Sequence, residues 1–234
     1  MADEVSTSTK QKKTLYCIRH GESTFNEWRK QSLWNFSWMW VRDPMIIDAP
    51  LSTKGQQQAL QLHDTIKVQM LDERIEAIIT SPLTRAIQTM SGGFQDANIP
   101  IRLEPSCREM LDTACDIGRQ PGELAASFVH VDVDFHALDD FWWLPPHKRP
   151  SAPDFVPSIH KHIMPLRESD ADVDARIKEL LAKLNEMPEQ HIAIVGHSAF
   201  FKRMLGMTRK LNNCELYEAP FAEIAKRYGI HTDA

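Results

Sequence analysis

Three short apolar runs punctuate the chain, and each ends in polar or ionisable residues. Thr14-Leu15-Tyr16-Cys17-Ile18 stops at Arg19-His20-Gly21, and Ile75-Glu76-Ala77-Ile78-Ile79 stops at Thr80-Ser81-Pro82. The third, His191-Ile192-Ala193-Ile194-Val195, stops at Gly196-His197. Continuous apolar runs of this length suit strands buried on both faces, as in a parallel sheet. Between them the period becomes helical. Ala59, Leu62, Ile66 and Met70 share a face behind a cap at Ser52 or Thr53. Leu83, Ala86, Ile87 and Met90 share another, with Ser81 as cap, Pro82 at the first helical position and Gly92-Gly93 as the stop. Val173, Ile177, Leu180, Leu181 and Leu184 form a third, opened by Ser169 with Asp172 at capping-box spacing and closed before Pro188. Strands alternating with helices predict an α/β fold with a mainly parallel sheet.

Three segments fall outside this rhythm. Residues 1–13 are polar, with a single Val5, and are expected to be a disordered tail. Residues 28–50 hold four tryptophans without a clean period, and residues 105–168 are rich in proline and aromatics around Phe141-Trp142-Trp143-Leu144-Pro145-Pro146. Long irregular insertions are usually functional loops or lids, whereas their aromatics are expected mainly to pack the segments down. The organisation read from the chain is one catalytic domain, 14–234, with insertions at about 28–50 and 105–168.

Composition narrows the function classes. With 27 Lys+Arg against 32 Asp+Glu the net charge is -5, which argues against a protein that coats nucleic acid. No apolar run approaches the roughly 18 residues of a membrane span, and Met1–Lys13 lacks the apolar centre of a secretory signal. The four cysteines are scattered, as expected for reduced thiols in a cytoplasmic protein. Neither GxGxxG, a Walker A pattern nor HExxH is present, so nucleotide-binding and zincin readings lack support.

The chemistry concentrates where the runs end. Ligands of open α/β sheets bind beyond the carboxyl ends of the strands. Arg19 and His20 follow the first run, Arg85 lies just beyond the second and His197 ends the third. Guanidinium forks bind phosphate oxygens two at a time, and a neutral imidazole is a competent nucleophile, so the set points to phosphoryl transfer.

Arg19-His20-Gly21-Glu22-Ser23-Thr24-Phe25-Asn26 resembles the RHG signature of the histidine phosphatase superfamily, the phosphoglycerate-mutase-like enzymes. Four further segments are similar to that family's motifs, in the family's order. They are Pro50–Ala59 with Leu51-Ser52-Thr53-Lys54-Gly55, Thr80–Thr89 with Ser81-Pro82-Leu83-Thr84-Arg85-Ala86, Cys107-Arg108-Glu109-Met110, and Val195-Gly196-His197-Ser198. Together they span residues 14 to about 205. The resemblance implies a three-layer α/β/α sandwich with a long lid-like insertion, His20 as the phosphorylated nucleophile and Glu109 as general acid. It also implies a phosphate pocket lined by Arg19, Arg85 and His197, with Ser23, Asn26 and the Ser198 N–H as further contacts. No cofactor and no metal are expected, since the arginines supply the positive charge.

Glu109 is followed by Met110-Leu111-Asp112-Thr113-Ala114-Cys115-Asp116, which lacks the basic, tyrosine-containing stretch by which cofactor-dependent mutases hold a bisphosphorylated cofactor. This departure favours a phosphatase acting on a phosphorylated small molecule, or on a phosphoprotein, over a mutase. A weakly active member that binds phospho-ligands or scaffolds a complex is the further alternative. Outside the motifs, Arg42, Arg119 and His147-Lys148-Arg149 are candidates to meet a second anionic group. His130, Asp132, Asp134 and His136 would share one face only if the segment were an extended strand.

Overall fold

The computed structural model describes residues 12–151, 157 and 160–232. Among these residues five strands form one sheet: β1 (Thr14–Arg19), β2 (Ala77–Thr80), β3 (Ile101–Leu103), β4 (His191–Gly196) and β5 (Leu216–Pro220). Their order is β3-β2-β4-β1-β5, with only β5 antiparallel to its neighbour. The three apolar runs are therefore β1, β2 and β4, side by side in the middle of the sheet. The two edge strands escaped the apolar pattern because each has one neighbour and a partly exposed face, and β5 carries Glu218 and Pro220.

Side chains of β1 alternate between two cores. Tyr16 and Ile18 enter one cluster and Leu15 and Cys17 the other, which is why the run shows no polar alternation. The helices are α1 (Thr24–Trp34), α2 (Thr53–Val68), α3 (Leu71–Arg74), α4 (Thr84–Gly93), α5 (Pro121–Ser127), α6 (His160–Ile163), α7 (Asp170–Glu186), α8 (Ser198–Met204) and α9 (Phe221–Arg227). α2 and α4 cover the first face, and α7, α8 and α9 cover the second. Ser52 caps α2 and the Ser169–Asp172 capping box opens α7, as the sequence predicts.

α4 begins later than the sequence suggests. Its cap residue is Leu83, and its first N–H and hydroxyl, both on Thr84, donate to the Asp48 carboxylate at 2.8 and 2.5 Å. A carboxylate from a distant loop does the capping, which leaves Ser81 free for another role. Gly92 and Gly93 are the last two residues of the helix, which ends where the sequence predicts. A Cβ on either would sit 2.8 Å from Ala59 or Leu62 of α2, so the pair permits close helix packing.

The aromatics of the second insertion pack into the core. Leu124, Phe128, Phe135, Trp142, Trp143 and Leu144 join the cluster on the first face, and among the described residues of this insertion only some within 109–116 and 164–168 border the cleft described below. The first insertion starts inside α1, whose only buried residues are Phe25 and Ser32, too few for a visible period. Trp28 packs against Phe25 as expected, but the other three tryptophans depart from the packing expectation: Trp34 and Trp40 are 87% and 84% exposed and Trp38 is about half exposed at 49%. Of the expected tail, residues 1–11 lie outside the described residues, and Lys13 is docked by its ammonium on the carbonyls of Leu184 and Met187. Residues 130–137 run through turns and a short 3₁₀ helix, Phe135–Ala137, so the alternating His/Asp face is not built. No helix among the described residues is long and apolar enough to cross a membrane.

Candidate active site

β1 delivers His20 at its carboxyl end, and the backbone that follows is pinned residue by residue. The His20 N–H donates to the Gly196 carbonyl at 2.9 Å and the His20 carbonyl accepts from Asn213 Nδ2 at 2.9 Å. The Gly21 N–H donates to Thr89 Oγ1 at 3.0 Å and the Glu22 N–H to Gln58 Oε1 at 2.8 Å. Two glycines let the start of α2 touch this loop: a Cβ on Gly55 would lie 2.0 Å from the Glu22 carbonyl oxygen, and one on Gly21 would lie 2.7 Å from that of Gly55. The polar residues of the second and third motifs thus hold the backbone of the first.

His20 is buried, and its Nδ1 lies 2.6 Å from the Gly21 carbonyl oxygen. A carbonyl only accepts, so Nδ1 carries the hydrogen and Nε2 keeps its lone pair. Burial first, then the Arg85 and Arg19 guanidiniums, hold this imidazole well below its ordinary titration range, and it is neutral at pH 7. The ring of His197 stands 5.1 Å away, fully buried, with Nε2 2.8 Å from Ser81 Oγ. The Ser81 oxygen also accepts from the Leu83 N–H at 3.3 Å. Burial, followed by Arg85 and His20, holds His197 well below the ordinary histidine range too.

Arg85 is a buried cation held at both ends of its fork, by the Cys115 carbonyl at 2.5 Å and Asp116 Oδ1 at 2.9 Å. Burial pushes Asp116 up to about 6 against the pull of Arg85. Arg19 donates one guanidinium N–H to the Leu211 carbonyl at 2.6 Å. Its Nε, like Nδ1 of His197, is buried and has no hydrogen-bond partner among the described residues. Buried polar nitrogens are nearly always satisfied, so these two are exceptions.

Glu109 faces the start of α8. Its carboxylate accepts from the N–H groups of Met110 and Phe200 at 3.0 Å each and Ala199 at 3.2 Å, and from Ser198 Oγ at 3.4 Å. The segment before it is fixed by a buried triad. Glu168 binds Arg108 at 2.5 Å and Arg176 of α7 at 3.0 Å, while Arg176 also reaches the carbonyls of Ser106 and Arg108. Ser23 and Asn26 cap α1 reciprocally, Ser23 Oγ accepting from the Asn26 N–H at 3.2 Å and Asn26 Oδ1 from the Ser23 N–H at 3.3 Å. That commits both oxygens and leaves the Asn26 amide NH₂.

Arg19, His20, Ser23, Asn26, Arg85, Glu109 and Ser198 line a single cleft of about 890 Å³, whereas His197 is fully buried and does not line it. Arg42 lines the same cleft. The other second-anion candidates do not. Arg119 is bound to Asp48 at 2.9 Å, Arg149 to Asp139 at 3.0 Å and Lys148 to the Arg167 carbonyl, while His147 borders a different hollow. Sequence reasoning missed Ser81, Asp116 and the Glu168 triad. Ser81 was visible in its motif but is read there as a helix cap; the other two have no local signal, since their partners lie far along the chain.

Two buried imidazoles 5.1 Å apart beside Arg19 and Arg85, at the carboxyl ends of a mainly parallel sheet, are the arrangement of the histidine-phosphatase class of α/β protein. The family model for the histidine phosphatase superfamily (branch 1) matches residues 15–224, and the chain belongs to that superfamily. A probable phosphatase from Schizosaccharomyces pombe is 28% identical over 193 residues, covering 79% of this chain and 74% of its own length. A phosphoglycerate mutase-like protein from Arabidopsis thaliana is 26% identical over 247 residues, covering 87% and 82%. Among solved structures, a mycobacterial glucosyl-3-phosphoglycerate phosphatase superposes with a TM-score of 0.51 at 18% identity over 88% of this chain and 90% of its own, which establishes the shared fold. Membership and these relatives support phosphatase or mutase-type activity.

Proposed function

We propose that the protein, as one catalytic domain over residues 14–234, is a phosphomonoesterase acting through a phosphohistidine on His20. One observation carries the reading: a neutral imidazole with its Nε2 lone pair fixed for attack, in a site that also holds the unpartnered buried nitrogens Arg19 Nε and His197 Nδ1. Nε2 attacks phosphorus while the bond from phosphorus to the ester oxygen breaks, and Glu109 delivers its proton to that oxygen. Arg19, Arg85 and His197 hold the equatorial oxygens, where negative charge is spread during transfer. Asn26, through its NH₂, is assigned an auxiliary contact, with Ser23 and Ser198 beside it. Glu109 then takes a proton from water, the resulting hydroxide bonds to phosphorus, and the P–N bond breaks to return the lone pair to Nε2. The arginines provide the positive charge, so the mechanism uses no metal and no organic cofactor. The four free cysteines suit a cytoplasmic enzyme.

A mutase shares the first half-reaction and differs in the acceptor. The acidic stretch after Glu109, where Asp112 and Asp116 are tied to Arg167 and Arg85, favours water. The test is to quench a reaction with radiolabelled p-nitrophenyl phosphate in alkali and map the label. The expected result is an alkali-stable, acid-labile phosphoryl group on the peptide containing His20, absent from His20→Ala. Label elsewhere, or none, overturns the assignment. Incubation with a phosphoglycerate separates the two activities: isomer interconversion without phosphate release would establish the mutase.

A further inference from the structure

We propose that the outer part of this cleft is a second-anion subsite, formed by Arg29, Arg42 and Lys210 and walled by Trp28 and Trp38. It selects phosphomonoesters that carry a second anionic group on an apolar or planar scaffold. The inference rests on the His20 reading for which end of the substrate is hydrolysed.

Charge distribution is the first argument. The chain is net -5, and many of its surface cations are matched to carboxylates: Arg102 with Glu189 at 2.9 Å, Arg149 with Asp139 at 3.0 Å, Arg209 with Glu215 at 2.5 Å. Arg29, Arg42 and Lys210 come from three separate segments and converge on the cleft that holds His20. None of their side chains has an ion-pair or hydrogen-bond partner among the described residues. The carboxylates bordering the same cleft have partners of their own: Asp112 is bound by Arg167 at 3.2 Å, Asp116 by Arg85 at 2.9 Å, Glu168 by Arg108 and Arg176, and Glu109 by the N–H groups at the start of α8. Like charges converging on one cavity oppose each other until an anion joins them.

Size and lining supply the second argument. A phosphate monoanion or dianion fills a small fraction of about 890 Å³, a volume in the range of sites that enclose a whole organic ligand. The phosphate end belongs to Arg19 and Arg85, which are largely buried beside His20. The three unpaired cations are exposed, so they stand farther out. Trp28 and Trp38 line the space, and Trp38 leaves 49% of its surface in water, apolar area that a substrate scaffold would cover. A cleft lined by buried arginines, by three exposed cations and by two indoles suits a ligand with two anionic ends and an apolar middle.

The test uses aryl phosphates of increasing length: 4-carboxyphenyl, 4-(carboxymethyl)phenyl and 4′-carboxybiphenyl phosphate, each against its own carboxamide. The carboxamide matches shape and leaving group while removing the second charge. At least one acid should exceed its amide by about tenfold in kcat/KM at low salt, and that ratio should fall towards one in the triple variant R29Q/R42Q/K210Q. Ratios near one for all three pairs in the wild type, or a ratio that survives the triple variant, overturn the subsite. Thermal melting of the triple variant checks folding. Calorimetric binding of the same pairs to His20→Ala separates the two readings. If nothing is hydrolysed but the acids still bind more tightly than the amides, the phosphatase reading fails and the subsite stands. Turnover of every compound without preference leaves the phosphatase and removes the subsite.

Discussion

Nε2 of His197 lies 2.8 Å from Oγ of Ser81, a hydroxyl at the carboxyl end of the neighbouring parallel strand. This contact holds a fully buried imidazole whose ring centre lies 5.1 Å from that of His20. Ser81→Ala removes the contact without opening a large cavity. It is expected to lower kcat roughly tenfold with little change in KM, because one hydrogen bond to a transition-state donor is lost. Ser81→Thr keeps the hydroxyl and should restore most of the rate. Steady-state kinetics of the three proteins on one aryl phosphate check this; an equal loss in Thr and Ala variants would make Ser81 a packing residue only.

The central strands and the reactive residues at their ends were legible in sequence because a strand buried on both faces leaves an unbroken apolar run. The run's end is then marked by the first ionisable group. His20, Arg19, Arg85 and His197 were found this way. The supports were hidden for the opposite reason. Asp48 caps α4 across 36 residues, and Glu168 steadies Arg108 across 60. Neither carboxylate differs locally from a solvated surface acid. Gln58 and Thr89 lay inside recognisable motifs, yet their function, accepting from backbone N–H groups of the His20 loop, is a property of the folded arrangement alone. The tryptophans divide along the same line. Trp142 and Trp143 sit among apolar neighbours and pack, whereas Trp34, Trp38 and Trp40 belong to a segment with almost no buried partners.

Gly55 makes the tightest approach to the backbone that follows His20. Gly55→Ala would drive a methyl group to 2.0 Å from the Glu22 carbonyl oxygen, and both elements are backbone, so one must move. The expected outcome is destabilisation by about 3 kcal/mol together with a large fall in kcat, since the displaced loop carries His20. Denaturant unfolding and turnover measured on the same preparation check this. Full activity at wild-type stability would mean that the loop is not pinned by α2.

Glu109→Gln tests proton delivery. An alkyl alkoxide is a poor leaving group and needs a proton, whereas nitrophenolate leaves readily without one. The variant is expected to slow alkyl phosphates by about two to four orders of magnitude and nitrophenyl phosphate far less. Glu109 also gathers the first free N–H groups of α8, so a stability loss of about 1 kcal/mol accompanies the change. Parallel kcat measurements on the two substrate types decide the matter. Equal slowing of both would remove Glu109 as the acid and leave it as a cap.

The two buried imidazoles predict the sign of the pH dependence of stability. In the unfolded chain each takes a proton near 6.5; in the folded protein burial and the arginines hold both well below that value. Below pH 6.5 the unfolded state therefore binds more protons, and stability falls as pH falls, by about 1.4 kcal/mol per pH unit for each histidine at most. Asp116 acts in the opposite direction. Its carboxyl is raised from 3.8 to about 6, so between those values the folded state binds its proton first and gains stability as pH falls. Two histidines against one aspartate leave a net loss on acidification. Denaturant unfolding at pH 7.5, 6 and 5 should show that decline, and a His20→Asn/His197→Asn protein should show it reversed or flattened. Saturating phosphate, placing negative charge between the imidazoles, raises their proton affinity and should also shallow the wild-type slope. A wild-type protein that grows more stable from pH 7.5 to 5 would place protons on these histidines in the free enzyme, and the neutral nucleophile would go with it.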